Sequence, residues 1–223
     1  MRRSRLAGEH AGGLLLSACS IGTPMSDEGP VADVHVHDED GLNGAVLPTP
    51  YTASDVALRD TDGSKQALDT LTADAGDDLT LVFFGYTHCP DICQIVMADI
   101  ASALTRLDSD QRERVGMTFV TTDPSRDDEK TLRAYLDRFD PSFAGLTGPL
   151  PRIVEVGESL GVSVDRGQKM PSGGYEVQHG TQVVGLLPDG TAPVVWTEGT
   201  GPDRIAQDLQ AILEDGVPEV SGS

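Results

Sequence analysis

The chain is short of basic residues. Only 16 lysines and arginines stand against 36 aspartates and glutamates, a formal charge of -20. Such a surface repels a phosphate backbone, and no basic stripe interrupts it, so nucleic acid is excluded as a partner. The acid excess favours cations, metal ions included, and equally serves solubility or a salty habitat. Long apolar runs are missing too: no stretch of about 20 apolar residues is present, so no segment reads as a membrane-spanning helix. No nucleotide-binding loop is evident. Cysteine is scarce, with three in 223 residues. What remains is ordinary for one globular domain with loose ends: 38% hydrophobic residues, 25 glycines and 14 prolines.

The N-terminus reads MRRSRLAGEHAGGLLLSACS. Arginines at positions 2, 3 and 5, an apolar patch at Leu14 to Leu16 and small residues before Cys19 make the pattern of an export signal, interrupted by Glu9 and His10. The Leu16-Ser17-Ala18-Cys19 ending resembles a bacterial lipobox, which implies that Cys19 becomes the lipidated first residue of an exported protein anchored to the outer face of the cell membrane. Residues 1–19 are therefore assigned to the signal and 20–45 to a flexible acidic tether rich in Gly and Pro. Residues 46–216 form the domain and 217–223 a tail. Within the tether, His35 and His37 beside Asp38, Glu39 and Asp40 offer a loose metal contact or are simply solvated.

The domain reads as α/β. DVALRDTDGSKQAL turns at Asp62-Gly63 and predicts a hairpin before the main sheet. Leu79 to Phe84 is a continuous apolar run, as in a strand buried on both faces. Ile92, Ile95, Val96, Ile100, Ala103, Leu104 and Leu107 recur at helical spacing and predict a helix from Pro90 to Leu107. A strand at Val115 to Thr121 and a helix at Asp127 to Phe139 follow, the helix stopping before Asp140-Pro141. A short helix (Pro151 to Leu160), strands near Tyr175 to Val177, Thr181 to Leu187 and Val194 to Thr197, and a closing helix (Pro202 to Leu213) complete the order. That order is the one of a thioredoxin-like fold with an N-terminal β-hairpin extension.

Two of the three cysteines, Cys89 and Cys93, fall at the predicted junction of strand and helix, with Pro90 suited to the first helical turn. There the helix dipole and unpaired N–H groups favour a thiolate and lower its pKa. In a regular helix a spacing of four places Cβ atoms about 5 to 6 Å apart on one face. That suits two sulfurs on one metal better than a disulfide, which needs Cβ atoms roughly 3.5 to 4.5 Å apart. A third reading, two small apolar core fillers, fits a glycine-punctuated junction poorly. His88 adjoins Cys89, and His179 lies at a break between two strands, where a thioredoxin-like topology brings it beside the start of the first helix. Two thiolates and an imidazole suit Cu(I) and tolerate Cu(II), and the same donors accept zinc.

Four stretches, FFGYTHCPDIC, TTDPSRDDEKTLRAYLDRF, LTG and YEVQHGTQVVGLLPDG, together resemble the Sco family, also called SenC or PrrC, in its order and spacing from about Tyr51 to Leu213. The resemblance implies a thioredoxin-like fold, copper as the bound metal, and a part in assembling cytochrome c oxidase. By position it implies copper ligation by Cys89, Cys93 and His179, and a metallochaperone rather than an enzyme. The implied partner is the oxidase subunit that bears the copper A centre, with another copper chaperone or a thioredoxin-like reductase as further partners. A different role for Cys89 and Cys93, as the redox pair of a thiol-disulfide oxidoreductase acting on partner cysteines, stays open. The chain departs from the family where Gln178 replaces the aspartate usual before the ligand histidine, since a glutamine offers the imidazole only a neutral hydrogen bond. The Asp-Pro-x-x-Asp element, Asp123 to Asp127, is retained; it is expected to cap the second helix or to take part in copper transfer, with Asp123 behind the ligands.

Overall fold

The structure is a computed structural model that describes residues 41–169 and 175–220, with backbone alone for 165–169 and 175–179. An eight-stranded sheet forms its centre. Three parallel strands, β4 (Leu79–Gly85), β5 (Val115–Thr121) and β6 (Ala144–Thr147), lie side by side, joined by crossovers that carry α2 (Ile92–Leu104), α3 (Ser109–Arg112) and α4 (Glu129–Leu136). On the other side of β4 follow β9 (Val183–Leu186), β10 (Thr191–Trp196) and, at the edge, β1 (Ala45–Thr52), all antiparallel. The opposite edge is the hairpin of β2 (Leu58–Asp60) and β3 (Lys65–Gln66), which turns through Asp62-Gly63 and pairs with β6. The sequence places this hairpin ahead of the sheet; its first strand is hydrogen-bonded into it. A separate two-stranded sheet joins β7 (Val164–Lys169) to β8 (Tyr175–His179).

All seven residues of β4 are buried, which is what its unbroken apolar run requires of a strand covered on both faces. Alternate side chains go to opposite sides: Leu79, Leu81 and Phe83 pack under α2, α4 and α6 (Pro202–Asp215), whereas Val82 and Phe84 pack under α1 (Leu68–Ala75) and α5 (Leu150–Ser159). Packing begins ahead of β1. Leu42 is buried, although it lies in the stretch assigned to the tether, and Val217 and Val220 of the expected tail rest on the core.

A buried carboxylate closes the N-terminal edge. Asp208 of α6 accepts from the N–H and side-chain amide of Asn43, both at 2.8 Å, from the Gly44 N–H at 2.8 Å, and from Trp196 Nε1 at 2.7 Å. Four donors satisfy both oxygens without a cation. Asp208→Asn keeps the shape but turns an amide N–H₂ toward two of those donors, so it is expected to cost about 1 to 3 kcal/mol, read as a lower denaturant midpoint at unchanged slope. An unchanged midpoint would contradict this assignment.

Candidate metal centre

The site is built where β4 ends. At Gly85 an added Cβ would meet the Phe119 ring at 2.9 Å and crowd Cys93 Sγ at 3.1 Å, so the ring above all favours glycine where the strand passes the sulfur. Tyr86 to Cys89 form a loop closed by the Cys89 N–H donating to the Tyr86 carbonyl at 3.1 Å. α2 then begins at Ile92, and Asp91 in the capping position makes no side-chain cap bond. Instead the Cys93 N–H, in the first turn, where no intrahelical acceptor is in reach, donates to Cys89 Sγ at 3.4 Å. Pro90 therefore precedes the helix rather than occupying its first position. Cys89 is also outside the helix, so the two sulfurs meet through this cap and not through regular helical spacing.

Both cysteines are present as thiols and are buried, Cys89 5% and Cys93 0% exposed, inside the apolar cluster under α2. Burial pushes the Cys93 thiol well up, and its hydrogen bond with Cys89 adds to the shift. The lowered pKa expected from a helix N-terminus is thus overturned at Cys93, because loss of water around the sulfur outweighs the dipole. Tyr86, beside Cys89, is pushed up to about 12, first by burial and then by the two cysteines. A consequence for pH follows. The folded protein keeps the Cys93 proton where the unfolded chain has lost it, so this stabilisation is full below the ordinary thiol value of about 8.5 and fades as pH rises above it. Between pH 7 and 10 the denaturant midpoint of the reduced, metal-free protein is expected to fall more than that of Cys93→Ala; parallel curves would contradict it.

A second buried carboxylate fixes the loop that carries Cys89. Asp127 is fully buried, and it accepts from the Thr87 N–H at 2.9 Å, the Thr87 hydroxyl at 2.6 Å and the Thr121 hydroxyl at 2.7 Å. His88 Nδ1 lies 3.7 Å from its Oδ1. The expected cap of α4 is corrected here: Asp128, one residue past the Asp123 to Asp127 element, caps that helix by accepting from the Thr131 N–H at 2.7 Å. Asp123 accepts instead from the Ser125 hydroxyl and from Arg126, whose guanidinium sits 5.8 Å above the Tyr86 ring. Asp123 thus reaches the cysteine pair through Arg126 and Tyr86, while Asp127, Thr87 and Thr121 are the supports that sequence reasoning missed.

The Tyr135 hydroxyl is buried without a hydrogen-bond partner. Its ring stacks against Phe119, with centroids 5.4 Å apart, and its pKa is raised by burial first and by Cys93 next. The two thiols and this hydroxyl thus lie in one buried apolar cluster, where a buried donor without a partner is the exception.

β8 ends at His179, opposite Val164, and β9 starts at Val183, opposite Phe83 of β4. Thr181 and Val183 share a cavity with Ile92 and Val96 of α2, so the break between β8 and β9 lies beside the first turns of that helix. The side chains of Gln178 and His179 lie outside the described residues, as do Cys19, His35 and His37. Among the described residues no cluster of three or more Cys, His, Asp or Glu side chains is arranged to hold a metal.

Two thiols at the junction between a central strand and its crossover helix, in a sheet with helices on both faces, define a thioredoxin-like protein. Residues 53–214 match the SCO1/SenC family model, and the chain belongs to that family. It is 31% identical over 138 residues to the mitochondrial protein SCO2 homolog of Homo sapiens, a match covering 61% of this chain and 50% of the relative, so the chain spans half that relative's length. Among solved structures, the apo Sco1 protein of Thermus thermophilus is 29% identical, with a TM-score of 0.67 over 79% of this chain and 99% of that one. The copper-bound ScoI of Bradyrhizobium japonicum is also 29% identical, with a TM-score of 0.59 over 74% of this chain and 98% of that one.

Proposed function

We propose that the protein is an exported copper chaperone, anchored to the outer face of the cell membrane through a lipid on Cys19. It holds copper with Cys89, Cys93 and His179 and delivers it to the copper A-bearing subunit of cytochrome c oxidase. The observation that carries this reading is the pair of buried thiols joined by the Cys93 N–H to Cys89 Sγ bond, in a member of the SCO1/SenC family. Thiolates and an imidazole are donors for Cu(I), and both thiols must lose their protons on loading, so binding weakens in acid. The surroundings of the two sulfurs are set by Gly85, Phe119 and the Asp127-held loop. A thiol-disulfide oxidoreductase would need one accessible thiolate; full burial and a raised pKa disfavour Cys93 in that role and leave it to Cys89.

In copper-limited medium, a strain lacking the protein is expected to make oxidase without its copper A signal. Wild type should restore the signal and Cys89→Ser should not. A full signal in the deletion strain would sink the reading. Anchoring is tested separately: Cys19→Ser is expected to move the protein from the membrane to the soluble fraction with its melting curve unchanged, and continued membrane fractionation would refute the anchor.

A further inference from the structure

Ile95 is the one large hydrophobic side chain, among the described residues, that stands exposed, at 56%. It sits on the helix that carries Cys93, two positions further on, at the mouth of a cavity of about 160 Å³. Ile92, Val96, Val183, Trp196 and Ile205 make the apolar floor and walls. The charged groups lining it, among the described residues, are both acidic: Asp99 and Glu198, the latter accepting from the Thr181 hydroxyl at 3.3 Å. Exposed Asp91 stands at the start of the same helix. The neighbouring Arg106 is engaged by Asp203 at 2.6 Å and by the Ser102 carbonyl at 2.5 Å, so it does not offset the acidic rim.

We propose that this cavity docks the copper acceptor, taking one large apolar side chain of that partner against Ile95 while flanking lysines or arginines of the partner meet Asp99 and Glu198. The proposal rests on the chaperone reading and specifies the partner's contact chemistry. A lone apolar pocket ringed by acids is complementary to an apolar anchor ringed by bases, and the chain's charge of -20 extends that field. A second copy of this chain would bring a like-charged rim against it, which disfavours self-pairing. Docking here sets the acceptor beside the turn of α2 that bears Cys93, and beside the break that follows His179.

The test follows copper transfer from the loaded full-length protein to the metal-free copper A domain of its own oxidase, with acceptor concentration varied. Ile95→Glu is expected to raise the acceptor concentration for half-maximal rate by at least about tenfold, while Cu(I) affinity, the melting curve and the rate at saturating acceptor stay at wild-type values. Ile95→Leu should behave as wild type. Paired Asp99→Lys and Glu198→Lys should produce a rise of several-fold, and the wild-type rate should fall as salt is added. Wild-type concentration dependence in Ile95→Glu, with copper still transferred, overturns the docking site alone. A change in sedimentation of the protein by itself on Ile95→Glu assigns the face to self-association and also overturns it. Failure of the wild type to bind or pass copper removes the chaperone reading, and the docking proposal with it.

Discussion

Cys93→Ser is expected to abolish tight Cu(I) binding, and Cys89→Ser to do the same. Each replaces a soft, polarisable thiolate with a hydroxyl that a monovalent copper ion binds poorly. The loss should exceed the roughly 10 to 100-fold that follows removal of a group merely hydrogen-bonded to a ligand. His179→Ala should cost less, because two thiolates remain. Since Cys93 is fully buried, serine there also leaves a hydroxyl in an apolar pocket, at about 1 to 3 kcal/mol of stability. Cys93→Ala separates the two effects: it should fold well and still fail to bind. Competition with a Cu(I) chelator measures all four variants, and near-wild-type affinity in either serine variant would contradict the proposed ligand set.

Asp127→Ala is the second large effect. Removing the carboxylate strands the Thr87 N–H and two hydroxyls that now end on it. Leaving buried donors without an acceptor costs about 1 to 3 kcal/mol each, so a total of about 3 to 5 kcal/mol is expected, which for a protein of this size lowers Tm by roughly 10 °C. Asp127→Asn keeps one carbonyl acceptor and should lose less. Copper affinity should drop in both, because Thr87 is two residues from Cys89 and its anchor sets where that sulfur stands. A variant with wild-type Tm would show that the loop is held by other contacts; wild-type copper affinity with lowered Tm would limit Asp127 to stability.

The elements with a strong internal period were legible in the sequence. β4 announced itself by an unbroken apolar run, α2 by its 3.6-residue spacing, and the β2–β3 hairpin by Asp62-Gly63, where Gly63 has φ 88°. Five elements escaped for local reasons. β1 contains Pro48 and Pro50, which read as linker, yet its register with β10 breaks between Val46 and Tyr51, and an edge strand tolerates prolines there. α1 carries two threonines and two aspartates in eight residues, and α3 has four residues, none of them buried. β6 is four residues long and β7 mixes charge with glycine; their partners in the sheets define them more than their own composition does.

The cysteine pair was equally plain by spacing, but its environment was not. The sequence cannot announce that Cys93 is buried in one cluster with Phe119, 26 residues further on, so the dipole argument alone gave the wrong direction for that thiol. Asp127 was hidden for a related reason. In TTDPSRDD three aspartates look alike, and only the fold turns Asp123 toward Arg126, Asp127 toward Thr87 and Asp128 onto the next helix.

The function proposed for this protein depends on Cys89, Cys93 and His179 holding one copper ion together. X-ray absorption on the reduced protein, loaded with one equivalent of Cu(I), tests it most directly. Two sulfur neighbours and one imidazole nitrogen are expected around a single copper, with the nitrogen lost in His179→Ala and the copper lost after Cys89 and Cys93 are oxidised to a disulfide. Copper that fails to bind the reduced protein, or binds with fewer than two sulfur neighbours, would contradict it.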